Sequence, residues 1–503
     1  MTLLPEGKLY IDGKLRDAAD GAKYEDINPW TGEVIAYAAD GSAQDMEEAI
    51  AAARRAFDES DWSADHAKRL AAVRKLADLM QANRQRFVDI AVMETGAAMG
   101  AVNMANVDGP LSYLDNLFEI YDTIDWEQAM PDKQVWGSTH RRILVKEAAG
   151  VVGAIIPWNV PLYITVGKVI PALLVGCTVI LKPAPDTPLM SAIIGELAAE
   201  AGFPAGVINV VSGKDPALLG EMLVTDKRVD VISFTGSTGV GRRIMEKGAP
   251  TLKRLFLELG GKSAAIIFED TPNFAEVVGQ SIVCYHAGQG CATVTRLLVP
   301  ESRYAEAVMV LEHAYGAYLQ MWGNADDPAN FMGPLISARQ RDRVMGYIET
   351  GIKEGARLLA GGKLATGKGN GFFIEPTCFV DVTNDMTIAQ EEIFGPVLVV
   401  IPFKDEEDAI RIANDSEFGL SGGVSSGDEA RAIRVAKRIR TGTVGVNGGM
   451  SMDVDLPFGG YKQSGLGKEW GLGGFEEYLE TKALAIKLQG KSVVRLSGVL
   501  QDD

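Results

Sequence analysis

The chain has few cysteines, and its first residues do not form a secretory signal. Its 503 residues include four cysteines: Cys177, Cys284, Cys291 and Cys378. So few thiols in so long a chain do not make a disulfide framework. The opening segment Met1–Gly7 has neither a basic region nor an apolar stretch. We therefore expect reduced cysteines and a cytoplasmic location.

Basic charge is also in short supply. Lysine and arginine together number 49, against 67 aspartate and glutamate residues, which gives a net charge of -18. Such a surface repels phosphate backbones and anionic lipid headgroups. The composition therefore argues against nucleic acid and membranes as partners.

The chain lacks an unbroken apolar run long enough for a membrane span. The longest weakly charged stretch, Ala148–Leu181, has Lys168 as its only charge, but Pro157, Pro161 and Pro171 interrupt it. A spanning helix needs roughly 20 apolar residues with every backbone group bonded internally. We therefore interpret this stretch as a buried strand, a loop and a helix.

What the chain does contain is an alternation of short apolar strands with helices. A length of 503 residues favours at least two domains. Continuous apolar strands separated by helices predict a parallel sheet covered on both faces. A first series of strands is predicted at Gly150–Ile156, Thr178–Lys182, Val207–Val211 and Asp230–Thr235, with helices at Val166–Val175, Pro188–Ala201 and Gly239–Ala249.

A second α/β series follows a turn at Gly260–Gly261, which is the natural hinge between the two. Its predicted strands are Ser263–Phe268, Arg296–Val299 and Val397–Ile401, and its helices are Asn273–His286, Arg303–Met321, Arg339–Glu354 and Glu429–Ile439. At the end of the chain, Ala483–Leu488 and Ser492–Leu496 alternate like edge strands. Uncovered strands of this kind often pair with another subunit.

Two glycine-rich turns carry groups suited to covalent catalysis. Cys291 follows Gly288-Gln289-Gly290, and Glu258 precedes Gly260-Gly261 at the end of an apolar strand. A thiol can attack a substrate, and a carboxylate can act as a base. Taken alone, a cysteine is more often a small buried hydrophobe, and a strand-end carboxylate is more often solvated.

Two further segments could serve such a site. Asn159 lies between Pro157 and Pro161 in a rigid loop, where its amide could donate to a developing oxyanion. The segment Phe234–Gly241 joins a strand to a helix, and its glycines could admit a phosphate to the helix N-terminus. Its spacing is not the usual dinucleotide fingerprint. Each segment alone is equally consistent with an ordinary loop.

Together, these segments resemble the aldehyde dehydrogenase superfamily over about the whole chain. Asn28–Glu33 resembles the usual opening of the family. Seven further motifs occur in the family order: Pro157-Trp158-Asn159, Lys182-Pro183-Ala184, Phe234-Thr235-Gly236-Ser237, Glu258-Leu259-Gly260-Gly261-Lys262, Gly288-Gln289-Gly290-Cys291, Glu391-Glu392-Ile393-Phe394-Gly395-Pro396 and Pro457-Phe458-Gly459-Gly460-Tyr461-Lys462.

The resemblance implies two doubly wound Rossmann-like α/β domains, one for the cofactor and one for catalysis, with a small β oligomerisation arm. We expect the NAD(P)-binding domain at residues 1–125 and 149–261 and the catalytic domain at 262–465. The arm would comprise residues 126–148 and 482–503 and would make a homodimer or homotetramer. No metal site is implied.

The same resemblance assigns the chemistry. Cys291 is the implied nucleophile, Asn159 with the Cys291 backbone N–H the oxyanion hole, and Glu258 the base that hydrolyses a thioester. Lys168 would order the backbone near the site. NAD or NADP would be held along a cleft, with Lys182 at the adenosine ribose, Ser237 at the pyrophosphate, and Glu392 and Phe394 at the nicotinamide end. The full set of implied cofactor contacts is Ile156, Trp158, Lys182, Gly236, Ser237, Glu392 and Phe394.

Two positions depart from the family pattern. Pro185 stands where a carboxylate often binds the ribose hydroxyls of NAD, so a strict preference for NAD is not expected; the adjacent Asp186 could substitute. His286 stands where the family often has asparagine. A cysteine–histidine pair is one interpretation, but helical spacing favours a structural role for this ring.

The aldehyde pocket is expected to be wide and apolar. The implied lining residues are Val160, Tyr163, Ile164, Gly167, Met450 and Met452. Gly167 carries no cation for a dicarboxylic semialdehyde, and the pair Val160 and Gly167 supplies no aromatic cage for betaine aldehyde. The hypothesis is therefore a bulky hydrophobic or aromatic aldehyde.

Two rival functions remain open at this point. A CoA-acylating semialdehyde dehydrogenase would pass the acyl group to CoA, but relatives of that kind lack the glutamate at Glu258. A non-catalytic binding or structural protein, such as a lens-type crystallin, tends to lose a catalytic element. Cys291, Glu258 and Asn159 are all present here, which favours an enzyme.

Overall fold

The computed structural model describes residues 4–449 and 453–488. Met450 and Met452, assigned above to the aldehyde pocket, lie outside the described residues, as does the predicted strand Ser492–Leu496. Among the helices of the described part, none has both the length and the apolar character that crossing a membrane requires.

The strands of the described residues are short. In chain order they are β1 Leu9–Ile11, β2 Lys14–Arg16, β3 Lys23–Ile27, β4 Val34–Ala39, β5 Glu127–Val135, β6 Ser138–Ala148, β7 Val151–Ile155, β8 Thr178–Lys182, β9 Ile208–Val210, β10 Val231–Thr235, β11 Arg254–Glu258, β12 Ser263–Ile267, β13 Val294–Pro300, β14 Arg357–Ala360, β15 Thr377–Val380, β16 Val397–Phe403, β17 Gly422–Ser425, β18 Gly445–Val446, β19 Gly465–Leu466 and β20 Leu479–Lys487.

Helices alternate with these strands, and a few short 3₁₀ turns lie between the two kinds of element. They are α1 Ala43–Glu59, α2 His66–Ala82, α3 Arg84–Thr95, α4 Met99–Ala101, α5 Asp108–Ser112, α6 Leu114–Asp122, α7 Pro161–Val175, α8 Pro188–Ala201, α9 Pro216–Thr225, α10 Thr238–Gly248, α11 Phe274–Gly279, α12 Tyr304–Tyr318, α13 Ala338–Lys353, α14 Thr387–Gln390, α15 Glu406–Asn414, α16 Glu429–Ala436 and α17 Gly471–Glu476. One π-helical turn, Val102–Asn106, follows α4.

The first sheet has eight strands in the order β19-β11-β10-β7-β8-β9-β1-β2. The five from β11 to β9 run parallel. Side chains of β7 and β8 are buried on both faces, because α7 and α8 cover one face and α1 and α9 the other. Burial on both faces explains the continuous apolar runs in the sequence.

The second sheet has seven strands in the order β14-β15-β16-β13-β12-β17-β18. All neighbours are parallel except the β14–β15 pair. Two apolar clusters flank this sheet, one on each face. The predicted fold class, with two doubly wound α/β units, is confirmed.

The third sheet is antiparallel, with β6 between β20 and β5. β20 begins at Leu479, earlier than the predicted Ala483, and all of its residues after Leu479 are exposed. The oligomerisation role of this arm and the proposed domain limits stay predictions.

The predicted helix Asn273–His286 is wrong in its second half. α11 ends at Gly279, and a non-helical segment continues to the 3₁₀ turn at Tyr285–Gly288. His286 and Ala287 have left-handed backbone angles, with φ of 45° and 54°, which no α-helix accommodates. The apolar spacing of the sequence stays helical up to His286. In the structure, the His286 N–H instead donates to the Phe331 carbonyl at 2.7 Å, and this long-range contact redirects the chain.

Candidate active site

The turn that joins β11 of the first sheet to β12 of the second lies against Glu392 and Cys291. β11 ends at Glu258, and the chain then crosses through Gly260 and Gly261 into β12. A side chain on Gly260 would collide with the Glu392 carboxylate, and one on Gly261 with the Cys291 carbonyl. The Gly261 N–H donates to Glu392 Oε1 at 3.0 Å. The glycines are therefore needed for close approach.

The loop that carries Cys291 is held by a buried glutamine. Gln289 is fully buried; its Oε1 accepts from the Ile336 N–H at 2.9 Å, and its Nε2 donates to the His286 carbonyl at 3.1 Å. The left-handed residues and Gly288, at φ 71°, turn the chain just before the thiol. These contacts hold the loop that carries Cys291 in place.

Asn159 lies in the loop between β7 and α7, and its amide reaches the loop of Cys291. Asn159 Nδ2 donates to the Gln289 carbonyl at 2.8 Å, and the residue is buried. An amide nitrogen carries two hydrogens. One is therefore engaged by Gln289, and the other is left for an acceptor near the thiol.

Two cavities meet at Cys291. One has a volume of about 450 Å³ and extends towards α10, and the other has a volume of about 630 Å³ and extends towards the π-helical turn. Cys291, Asn159, Val160 and Ile164 line both of them. A group bound in either cavity would therefore reach the thiol.

Five of the seven predicted cofactor residues line the first cavity: Trp158, Gly236, Ser237, Glu392 and Phe394. The other two, Ile156 and Lys182, do not line it. They are buried beside it, where the Ile156 N–H donates to the Lys182 carbonyl at 3.1 Å. Lys182 Nζ donates to the Pro183 carbonyl at 2.8 Å, and burial lowers the pKa of this amine to about 8.

The first cavity has the chemistry of a dinucleotide cleft. Ser237 caps the N-terminus of α10, where Ser237 Oγ accepts from the Val240 N–H at 3.4 Å. Gly236 and Ser237 line the cavity, so the positive end of this helix lies at the cleft. Trp158 and Phe394 meet edge to face, with ring centroids 5.4 Å apart. Glu392 adds a carboxylate that could accept from ribose hydroxyls.

The second cavity is mostly apolar. Of the predicted pocket residues, Val160, Tyr163 and Ile164 line it, and Gly167 does not. A side chain on Gly167 would touch Trp470 and Glu469, because Trp470 packs against Gly167 and against the ring of Tyr163, 4.9 Å away. Gly167 therefore makes room for Trp470 instead of facing the cavity.

Three buried ionisable groups lie beside the thiol. Glu258 and Glu469 both line the second cavity, and Lys168 Nζ lies 3.2 Å from Glu469 Oε1. Burial, and then the charge of Glu469, raise the pKa of Glu258 well above its usual value, although Lys168 opposes this. A carboxylic acid with a raised pKa in a cleft is suited to proton transfer near neutral pH.

Burial shifts the pKa of the thiol and the pKa of the neighbouring imidazole in the directions that favour their neutral forms. Burial raises the pKa of Cys291 well above its usual value, and the charges of Glu258 and Glu392 raise it further. Burial lowers the pKa of His286 to about 4, against an opposing contact with the Asn159 backbone. His286 is buried and lines neither cavity, which supports its predicted structural role.

Sequence reasoning missed several residues of the second cavity. The missed groups are Glu469 and the apolar side chains of Met104, Tyr113, Tyr285 and Phe458. Phe458 belongs to the motif Pro457–Lys462, and Glu469 follows this motif between Gly467 and Gly471. A charged residue in a glycine-rich segment was the signal that could have identified Glu469. Met104 and Tyr113 come from the helical N-terminal region, where nothing local distinguishes them from core residues.

The chain is similar to known aldehyde dehydrogenases. Residues 16–484 match the aldehyde dehydrogenase family model. The NADP/NAD-dependent aldehyde dehydrogenase PuuC of Escherichia coli is 38% identical over 97% of each chain. Betaine aldehyde dehydrogenase of Staphylococcus aureus, solved with NAD+, superposes with a TM-score of 0.92 at 36% identity and covers 98% of this chain and 97% of its own. A mutant of aldehyde dehydrogenase C of Pseudomonas syringae, solved with NAD+ and octanal, has a TM-score of 0.88 at 36% identity, over 95% and 96%.

Proposed function

The chain belongs to the aldehyde dehydrogenase family, and from this membership we propose that it oxidises a hydrophobic aldehyde to a carboxylate with NAD+ or NADP+. The single observation that supports the assignment of roles is that Cys291 lies where the two cavities meet. An aldehyde in the apolar cavity and a nicotinamide in the cleft would then lie on opposite sides of one sulfur atom.

The first half of the reaction is attack by Cys291. Cys291 first loses its proton to solvent; its thiolate then adds to the aldehyde carbon, and the carbonyl oxygen becomes an oxyanion that accepts from the free N–H of Asn159. NAD(P)+, when bound, would supply the acceptor for the hydride that leaves this carbon. Glu392, Trp158 and Phe394 line the cleft and would hold the nicotinamide end of the cofactor. The product of this half is a thioester on Cys291.

The second half is hydrolysis of that thioester. Glu258 faces the aldehyde cavity from the end of β11, and its raised pKa suits a base that takes one proton from water. The resulting hydroxide adds to the thioester carbon and the carbon–sulfur bond breaks, which releases the Cys291 thiolate and a carboxylic acid that loses its remaining proton to solvent. Glu469 and Lys168, which lie 3.2 Å apart, are close enough for their charges to shift the pKa of Glu258 in opposite directions.

The lining of the aldehyde cavity supports a hydrophobic substrate. Tyr113, Tyr163, Ile164 and Phe458 are among the apolar side chains that line it together with Cys291. No lysine, arginine or histidine of the described residues lines it, so the far carboxylate of a dicarboxylic semialdehyde would find no cation there. A volume of about 630 Å³ accommodates an aromatic or medium-chain aliphatic aldehyde.

The test is an aldehyde panel with each cofactor, followed by the absorbance of the reduced nicotinamide. We expect benzaldehyde-type and medium-chain aldehydes to be oxidised with a higher kcat/KM than succinic semialdehyde and betaine aldehyde. Cys291→Ala should abolish product formation in a folded protein. A preference for succinic semialdehyde would contradict the substrate class. A requirement for CoA would contradict hydrolysis, and no reduction of either cofactor would contradict the activity.

A second experiment addresses the choice of cofactor. Pro185 carries no negative charge to repel a 2′-phosphate. Pro185 and Asp186 both line a cleft outside the cavity of Trp158 and Ser237, and in that cleft Asp186 Oδ2 lies 3.9 Å from Arg339 Nη2. We therefore expect use of both NAD+ and NADP+. Pro185→Glu should lower kcat/KM for NADP+ by about 10- to 100-fold, because the new carboxylate would repel the 2′-phosphate. Each tenfold loss corresponds to roughly 1.4 kcal/mol of repulsion.

The matched control for this experiment is Asp186→Asn. If Asp186 takes no part in binding the ribose, the ratio of the two kcat/KM values stays that of the unmodified protein. A large rise in NADP+ use by Asp186→Asn would show instead that Asp186 replaces the missing carboxylate. An unchanged ratio in Pro185→Glu would contradict the placement of the ribose at this turn.

A further inference from the structure

Asn106 lies behind the oxyanion hole and lines neither cavity. It is the last residue of the π-helical turn Val102–Asn106, and it is 1% exposed. Its Nδ2 donates to the backbone carbonyl of Asn159 at 3.2 Å, and its Oδ1 accepts from the Tyr285 hydroxyl at 3.3 Å. Both ends of this amide are therefore bonded to loops of the active site.

The contact with Asn159 matters because the Asn159 backbone belongs to neither a strand nor a helix. It lies between the end of β7 and the start of α7. Its side chain must hold one N–H towards the Gln289 carbonyl and the other towards the oxyanion. Fixing the carbonyl of residue 159 limits the swing of that amide, and an oxyanion donor acts well only when it is preorganised.

The contact with Tyr285 closes a ring of interactions. Tyr285 begins the 3₁₀ turn that leads to Gln289 and Cys291. Burial raises the pKa of Tyr285, so its hydroxyl stays protonated and donates. Asn106 bonds to Asn159, Asn159 to Gln289, and Gln289 is joined by the chain itself to Tyr285, which returns to Asn106.

The π-helical turn explains how Asn106 arrives at this place. The Val107 N–H donates to the Val102 carbonyl at 3.2 Å, which is the wide spacing of a π-helix. Such turns are rare overall, but those that exist often lie at functional sites, because the extra residue displaces a side chain from the regular helical position. Here the turn separates α4 from α5, which contributes residues to the aldehyde cavity.

We propose that Asn106 is a positioning residue of the oxyanion hole, which aligns the Asn159 amide with the carbonyl oxygen of the aldehyde bound at Cys291. The proposal rests on the proposed function. Asn106 touches neither substrate nor cofactor; it acts through Asn159, and it ties the loop of the oxyanion donor to the loop of the nucleophile. Its effect belongs to formation of the thiohemiacetal and the hydride step, which precede hydrolysis.

The test is a double-mutant cycle on Asn106 and Asn159, read by the first turnover. Reduced cofactor is followed by stopped-flow absorbance at saturating aldehyde and NAD+. Asn159→Ala should slow this phase by about 10²–10³-fold. Asn106→Ala should slow it roughly fivefold to tenfold, the effect of one neutral hydrogen bond, with little change in KM. In the Asn159→Ala background, Asn106→Ala should have no further effect.

Two further variants separate positioning from folding. Asn209 is a buried asparagine of β9 that accepts from the Asp12 N–H at 3.0 Å and donates to the Gly206 carbonyl at 2.8 Å, away from both cavities. Asn209→Ala should lower stability without slowing the first turnover. Tyr285→Phe removes one hydroxyl only and should slow the first turnover in the same direction as Asn106→Ala, which keeps the proposal testable if the latter does not fold.

The outcomes are distinguishable from those of the aldehyde panel. Equal slowing by Asn106→Ala in both backgrounds would assign Asn106 a general structural role and overturn the proposal, as would an unchanged first turnover in Asn106→Ala and Tyr285→Phe. In either case normal oxidation by the unmodified protein would leave the proposed function standing. A protein that reduces neither cofactor with any aldehyde would overturn both.

Discussion

Replacing Glu258 by glutamine is expected to leave the first-turnover burst of reduced cofactor intact and to lower steady-state turnover by about 10²–10⁴-fold, the usual contribution of a general base. Glu258 is 1% exposed and lines the aldehyde cavity at the end of β11. Glutamine keeps its shape but takes no proton from water. The thioester on Cys291 would therefore form at a normal rate and accumulate.

The measurement is rapid mixing of enzyme, NAD+ and aldehyde, with burst amplitude and steady rate taken from one trace. Glu477→Gln is the matched control, since Glu477 is a nearby, partly buried carboxylate that accepts from the Lys468 N–H at 3.1 Å and does not line the cavity. That variant should keep both phases. Loss of the burst in Glu258→Gln would assign Glu258 to the attack step instead.

The pH dependence of alkylation at Cys291 gives a second readout of the same variant. Negative charge on Glu258 is one of the causes that raise the pKa of the thiol. Glu258→Gln removes that charge, so the thiolate should form at lower pH, and the midpoint of alkylation by iodoacetamide should shift downwards. A shift to higher pH would mean that Glu258 promotes ionisation of the thiol.

Lys168→Met is expected to lower the free energy of unfolding by ~3–5 kcal/mol, the usual penalty for breaking a buried ion pair on one side. Lys168 is fully buried and Glu469 is 2% exposed, with 3.2 Å between Lys168 Nζ and Glu469 Oε1. Lys168 Nζ also donates to Ser233 Oγ at 3.2 Å. Methionine fills a similar volume, but the Glu469 carboxylate would remain without its partner in a buried place.

Chemical denaturation at fixed protein concentration, followed by tryptophan fluorescence, checks this prediction. The double variant Lys168→Met with Glu469→Met should recover most of the lost stability, because two apolar side chains often replace a buried pair without loss. Lys8→Met breaks an exposed pair with Asp17 and should change the free energy by ~0–1 kcal/mol. A double variant as unstable as the single one would mean that packing, not charge, holds this region.

Local patterns in the sequence were sufficient for some of the most deeply buried elements. β8 at Thr178–Lys182 and α8 at Pro188–Ala201 have the predicted limits. Proline at the first position of the helix and Gly202 in the left-handed conformation after it mark the two ends of α8 in the sequence itself. For such segments the local preference and the tertiary environment agree.

The helix predicted at Asn273–His286 shows where that agreement fails. The apolar spacing is helical, but the chain leaves the helix at Gly279 to place Cys291, and His286 takes a left-handed conformation supported by the Phe331 carbonyl. Backbone strain of this kind is retained at functional sites when distant contacts support it. A partner far along the chain is invisible to a local pattern.

The sequence by itself determined the motifs, and through them the order of Asn159, Glu258 and Cys291 along the chain and the family to which they belong. Only the tertiary structure decided that Cys291 lies where two cavities meet, that Trp470 takes the place next to Gly167, and that Glu469 pairs with Lys168. Asn106 belongs with this second group. The physical reason is that a glycine-rich turn or a strand is a local property, whereas a cavity, an ion pair or a positioning hydrogen bond exists only once separate segments are packed together.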